Sequence, residues 1–312
     1  MSGFELRPLS LGELLDRAFL LYRRNFWLFA GIMVIPSCVF MPMQFFMLRS
    51  RGVPFPWNKP SPQAQTPGYT FGILFVYWII YAVAQAATTY GVADAYLGRL
   101  STIREAYGKI RGRFWRLIGV TLNVGLRIFG LMLLVSLVGV VGVLLVVGLA
   151  SANVAPGSNI IVMATSGILI GGFAFTLWFS LRYTISLPAV LLEDISGRAA
   201  IRRSVQLSRG RRGQIFVAVL LGIVVMYSVA LLFQGPFYAG IAVMGIKGQL
   251  PNWMVLGLSV SSVIGGTIAG PLLMIILVLC YYDLRIRKEG FDLQHMMTSL
   301  PEPNPAGSAA LS

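Results

Sequence analysis

Trp115–Leu149 reads WRLIGVTLNVGLRIFGLMLLVSLVGVVGVLLVVGL, and beyond Arg127 it carries no ionisable side chain. A hydrocarbon core about 30 Å thick is crossed by roughly 20 apolar residues in a helix. This stretch is long enough, and it is one of six. The others run near 26–48, 71–93, 159–190, 215–244 and 252–282. The spacing predicts an all-α membrane protein: six transmembrane helices as three hairpins, each preceded by a basic amphipathic interfacial helix.

Composition agrees. Of 312 residues, 56% are hydrophobic and 12% charged, and mean hydropathy is +0.76. A soluble chain of this length needs many more charges to solvate its surface. The net charge of +14 would point to nucleic acid in a soluble protein. Here the basic residues cluster between apolar runs, without interleaved base-stacking aromatics, so anionic membrane lipid is the expected partner and nucleic acid is not.

Orientation follows the arginines. Twenty Lys and Arg lie in the segments before runs one, three and five and after run six, against four (Arg49, Arg51, Lys59, Lys247) in the opposite loops. This places a multi-pass chain in a bacterial cytoplasmic (inner) membrane with both termini cytoplasmic. Met1–Phe26 carries acids and arginines and no small-residue cleavage site, so the first run is expected to stay as an uncleaved anchor. The proline-rich loop 49–70 reads as an irregular excursion, and the tail 291–312 as cytoplasmic and disordered after 300.

Three segments align without gaps: Leu14–Trp27 (LLDRAFLLYRRNFW), Thr102–Trp115 (TIREAYGKIRGRFW) and Ala200–Gly213 (AIRRSVQLSRGRRG). Their recurrence before runs one, three and five divides residues 1–290 into repeats 9–93, 99–190 and 197–282. In the first copy Leu11, Leu14, Leu15, Ala18, Phe19 and Tyr22 keep one face of a helix, and Ser10 with Glu13 forms a capping box. Ile103, Ala106, Tyr107, Ile110 and Phe114 hold the same stripe. The third is weaker, with Ser204 and Ser208 beside Ile201 and Val205. Such helices are expected in the interface, apolar face toward acyl chains and Arg23, Arg24, Arg111, Arg113, Arg209, Arg211 and Arg212 among headgroup phosphates. The alternative is ordinary positive loops that happen to be helical.

Phe4–Phe26 (FELRPLSLGELLDRAFLLYRRNF), Leu181-Arg-Tyr, Arg202-Arg-Ser with Arg209-Gly-Arg, and Tyr281–Leu293 (YYDLRIRKEGFDL) resemble bacterial polytopic proteins labelled as the glycerophosphoryl diester phosphodiesterase membrane domain. The resemblance covers most of 4–293. It implies a membrane module that sometimes precedes a catalytic domain. That domain would need a histidine pair and an acidic metal site, and the one histidine here is His295. The enzymatic name therefore does not carry over, and no catalytic, cofactor or metal-binding residue is assigned. Cys38 and Cys280 fall inside apolar runs and give neither metal spacing nor a disulfide framework.

Ionisable and polar groups within runs remain as intramembrane or inner-mouth candidates. Arg127 either marks a functional position or snorkels at the end of a continued interfacial helix, since 115–149 as one helix would be roughly 50 Å long. Arg182 either closes run four or pairs with Asp94 or Asp283, which close runs two and six; a ring of the three at the inner mouth would bind spans together or receive an anionic headgroup. Gln234 precedes Gly235-Pro236, where a kink would gate a pathway. Ala87, Gly91 and Ala95, and Ser262, Gly266 and Gly270, offer small faces for helix contact or dimerisation. The leading expectation is a non-enzymatic protein that organises anionic lipid or partner proteins. The rival is a permease or channel lined by Arg127, Arg182 and Gln234.

Overall fold

The computed structural model describes residues 8–50, 67–151, 155–245 and 252–290; of the expected loop 49–70 both ends are helical and 51–66 lie outside the described residues, as do His295 and the tail beyond 290. Ten helices and no strand occur among those described: α1 (Leu11–Arg24), α2 (Phe26–Ser50), α3 (Pro67–Tyr96), α4 (Ile103–Gly108), α5 (Phe114–Ser151), α6 (Ala155–Ser180), α7 (Ser186–Leu192), α8 (Gly197–Ser208), α9 (Arg212–Gly245) and α10 (Asn252–Glu289). Six of them, α2, α3, α5, α6, α9 and α10, are long and apolar enough to cross a membrane. The protein is an all-α, multi-pass membrane protein.

Each basic helix exists but differs from its sequence reading. Ser10 accepts from the Glu13 amide, and Glu13 returns the bond to the Ser10 amide, as expected for α1. Thr102 and Glu105 repeat the same box at α4, which the sequence reading missed. That second stretch is helical only to Gly108; turns carry the chain through Arg113 before α5 begins. In the third copy Gly210, at φ +83°, breaks α8 from α9. The fourth run is shorter than its hydropathy implies: α6 stops at Ser180, and a turn leads into the separate α7. Arg182 therefore lies in that turn and not within a span.

Part of each apolar stripe packs on the protein, while Phe19, Leu20 and Ile103 stay exposed. Leu14, Ala18 and Leu21 of α1 are fully buried, as are Ala106 and Ile110 of the second copy and Ala200, Ile201 and Leu207 of α8. Ser204 shares the buried face because its hydroxyl donates to the Arg182 carbonyl at 2.7 Å. A pattern emerges in what each helix docks on. α1 rests on α10, α4 on α3 and α2, and α8 on α7 and α5. Each basic helix thus packs on the preceding hairpin, and the first packs on the last.

The spans do not close the same ring. α10 is the centre, packed against α9, α2 and α3. Gly265 lets α10 approach α9 closely, its missing Cβ lying 3.5 Å from the Ala230 Cα. Gly91 of α3 faces Phe29 and Ile32 of α2 in the same way, as its small-residue face led one to expect; Gly266 instead has open space beside it. Within lipid, where apolar burial gives little drive, such close contacts and hydroxyl bonds hold helices together. Thr267, for example, donates to Ser37 across α10 and α2 at 2.8 Å. The α5–α6 hairpin stands aside, with α6 packed along α5.

Candidate functional site at the basic end

Carboxylates at the arginine-rich end form a set of links between repeats. Asp283, fully buried, accepts from the Leu9 amide at 2.7 Å and from Gln214 at 3.1 Å, and pairs with Arg287 at 2.9 Å. Arg287 in turn donates to the Leu9 carbonyl. Asp94 pairs with Lys109. Glu193 holds Arg203 at 2.9 Å and accepts from the Tyr281 hydroxyl at 2.8 Å, while Glu289 takes Arg203 and Arg285. Burial works against the charge of Arg203, but its bonds to Glu289 and Glu193 prevail and raise its pKa above the ordinary value.

Asp194 joins the second hairpin to α7. It accepts from Arg113 at 2.9 Å and Arg116 at 2.6 Å, and Arg113 also donates to the Tyr90 hydroxyl at 3.0 Å. The bond from Arg113 holds the Asp194 carboxyl below the usual carboxylate range and raises the guanidinium further above its own. Asp194 has φ 55°, the one positive value outside glycine among the described residues. Tyr22 and Tyr107 anchor the helices another way. Each donates at 2.8 Å to a span carbonyl, of Ile268 and Ile32 respectively, and burial pushes both phenols up to about 12.

The expected Asp94–Arg182–Asp283 ring is absent. Both carboxylates are occupied by nearer cations delivered by their own helix or turn, and Arg182 stacks over the Phe179 ring at 5.2 Å with its buried Nε unpartnered. Arg127, Arg182 and Gln234 likewise share no common path. Gln234 accepts from Tyr238 one turn along α9, and α9 runs through Pro236 unbroken. Among the seven expected headgroup arginines, Arg113 is engaged in the Asp194 link and Arg211 bonds Gln214. Arg212 is partly buried with an unpartnered Nε. Arg23, Arg24, Arg111 and Arg209 are exposed. Trp27 and Trp115 follow Phe26 and Phe114 in matching edge-to-face pairs at 5.5 and 5.6 Å. At 84% and 82% exposed, both indoles suit a membrane boundary.

A cleft of about 260 Å³ opens between α2, α3, α9 and α10, where Ser37, Tyr77, Tyr81 and Ser262 add hydroxyls to an apolar lining. Near it the Gln85 Oε1 is buried without a partner.

Residues 9–284 match the model of a domain of unknown function, DUF7847. The chain belongs to that family. The family description names no activity, and neither a curated protein nor a solved structure matches.

Proposed function

We propose that this is a non-enzymatic protein of a bacterial inner membrane that engages anionic lipid, or partner proteins carrying like charge, through its arginine end, with both termini cytoplasmic. One observation carries the reading. Five carboxylates of that end, Asp94, Glu193, Asp194, Asp283 and Glu289, are taken by Lys109, Arg113, Arg116, Arg203, Arg285 and Arg287. Arg23, Arg104, Arg111, Arg198, Arg202 and Arg209 are exposed and form no ion pair among the described residues. The links set six cations against five carboxylates, and arginines outnumber acids on the remaining surface of that end. Each such residue near an anionic leaflet adds on the order of 1 kcal/mol.

Because Leu14, Ala18, Leu21, Ala106, Ala200 and Leu207 are committed to the bundle, the helices hold a fixed surface, and the engagement is mainly electrostatic. Lipid retained by the full-length protein, extracted in native nanodiscs, is expected to be enriched in anionic species over the bulk membrane. The enrichment should shrink when Arg23, Arg111 and Arg209 are replaced by glutamine. Retained lipid identical to the bulk membrane would overturn the reading. The cleft beside Gln85 favours a second one, passage of a small or lipid-derived solute, for which proteoliposome flux sensitive to Tyr81→Phe is the test.

A further inference from the structure

Arg127 is 14 residues into α5, counting from Phe114, yet it is not within the apolar core. In the hairpin, Gly139 faces Leu169, and Val135 faces Gly172. Continuing that antiparallel register brings Arg127 level with Ser180, where α6 ends. The contact with Tyr183 agrees: the guanidinium lies 5.5 Å from the ring centroid, and Nη1 donates to the hydroxyl at 3.4 Å. From Arg127 to Ser151 the helix covers about 36 Å at 1.5 Å per residue, enough for one crossing. Arg127 therefore sits where the basic end meets the hydrocarbon.

Across from it stands one face of α8. Arg198 and Arg202 follow i, i+4, and Ile201 and Val205 at i+3 and i+7 share the stripe. Together with Arg127 and Tyr183 they wall a recess of about 640 Å³. None of the three arginines forms an ion pair among the described residues. Like charges gathered on one concavity repel unless an anion is shared between them. Tyr183, only 8% exposed, fixes the direction of Arg127.

We infer that this recess binds the phosphate of an anionic membrane phospholipid, with its acyl chains along α5. A free phosphate anion would meet the same three guanidiniums, which recognise phosphate through planar paired donors. The setting favours the lipid. Below Arg127 on the same helical face, Leu134, Val138, Val141 and Leu145 are all exposed, a continuous apolar track along which a lipid tail can lie. The inference rests on the lipid reading above but names residues outside the seven headgroup arginines expected from sequence.

The test uses full-length, delipidated protein titrated with phosphatidylglycerol, phosphatidylcholine, inorganic phosphate and glycerol 3-phosphate, followed by native mass spectrometry. The triple variant R127Q/R198Q/R202Q is compared with R23Q/R111Q/R209Q, which removes equal charge elsewhere. Wild type should prefer phosphatidylglycerol, and the recess variant should lose about tenfold more affinity than the control variant. The lysine triple R127K/R198K/R202K keeps charge and guards against misfolding; it should recover part of the affinity in a monodisperse protein. Equal losses in both glutamine triples would overturn the recess while leaving general lipid engagement standing. No preference of wild type for phosphatidylglycerol over phosphatidylcholine would overturn both. Displacement of phosphatidylglycerol by equimolar inorganic phosphate or glycerol 3-phosphate would overturn the lipid as the occupant.

Discussion

The span of α10 and the span of α5 look alike by composition, with mean hydropathy 2.5 and 2.8 over their most apolar windows, yet 61% of the first and 11% of the second are buried inside the protein. Hydropathy reports what tolerates a membrane. It does not report what packs. The difference lies in the minority residues. α10 carries Ser259, Ser261, Thr267, Cys280 and Tyr281 among its apolar positions, and α3 carries Thr88, Thr89 and Tyr90; all but the half-buried Thr267 are buried. α5 offers mainly Leu and Val beyond Arg127, and these face outward. In a solvent as apolar as leucine, small and hydroxylated side chains mark the inside.

Breaking the packed side should cost most at Asp283. Asp283→Ala leaves Arg287 without its carboxylate and the Leu9 amide without an acceptor, and is expected to destabilise by about 3 kcal/mol. A thermal melt in mild detergent reads this; a variant as stable as wild type would show that the N-terminal link is idle. Next, Gly265→Leu forces branched carbons toward the Ala230 backbone of α9, with an expected loss of about 1–3 kcal/mol. The matched change Gly171→Leu on α6, where no atom lies within 4 Å, should leave the melt unmoved. Equal effects at both positions would erase the distinction between bundle and hairpin.

Smaller effects follow at the helix starts. Ser10→Ala and Thr102→Ala each remove a cap, worth about 1 kcal/mol, and should lower protection of the following amides in hydrogen exchange. The smallest concerns the tie between hairpin and bundle. Because the native Asp194 carboxyl lies below its ordinary value, its contribution is complete above the unfolded carboxylate pKa and fades as pH falls through the native one. Asp194→Asn, which also tolerates positive φ, should therefore melt below wild type at neutral pH and converge with it in strong acid. A gap that does not narrow as the pH falls would mean the tie is not electrostatic.

Six spans and three basic helices were legible because their signals are local: run length, 3.6-residue periodicity and the Ser10–Glu13 box. What was not legible required partners distant in sequence. Nothing near Leu14 or Ala18 says that their face meets α10 and not lipid. The pairing of Arg203 with Glu193 and Glu289 joins residues up to 86 positions apart, so spacing cannot find it. Arg182 seemed to belong with Asp94 and Asp283 because the repeat made them equivalent. Lys109 and Arg287, only 15 and 4 residues from their carboxylates, reach them first. The Thr102–Glu105 box was readable and overlooked, hidden by a helix only six residues long.

The circular docking of the basic helices has a consequence for biogenesis. α1 is synthesised well before α10, the helix it rests on most, so Leu14, Ala18 and Leu21 lack the main part of their native seat until α10 arrives. Nascent chains halted before residue 252 should therefore keep residues 11–24 open to protease, and release of the completed chain should close them.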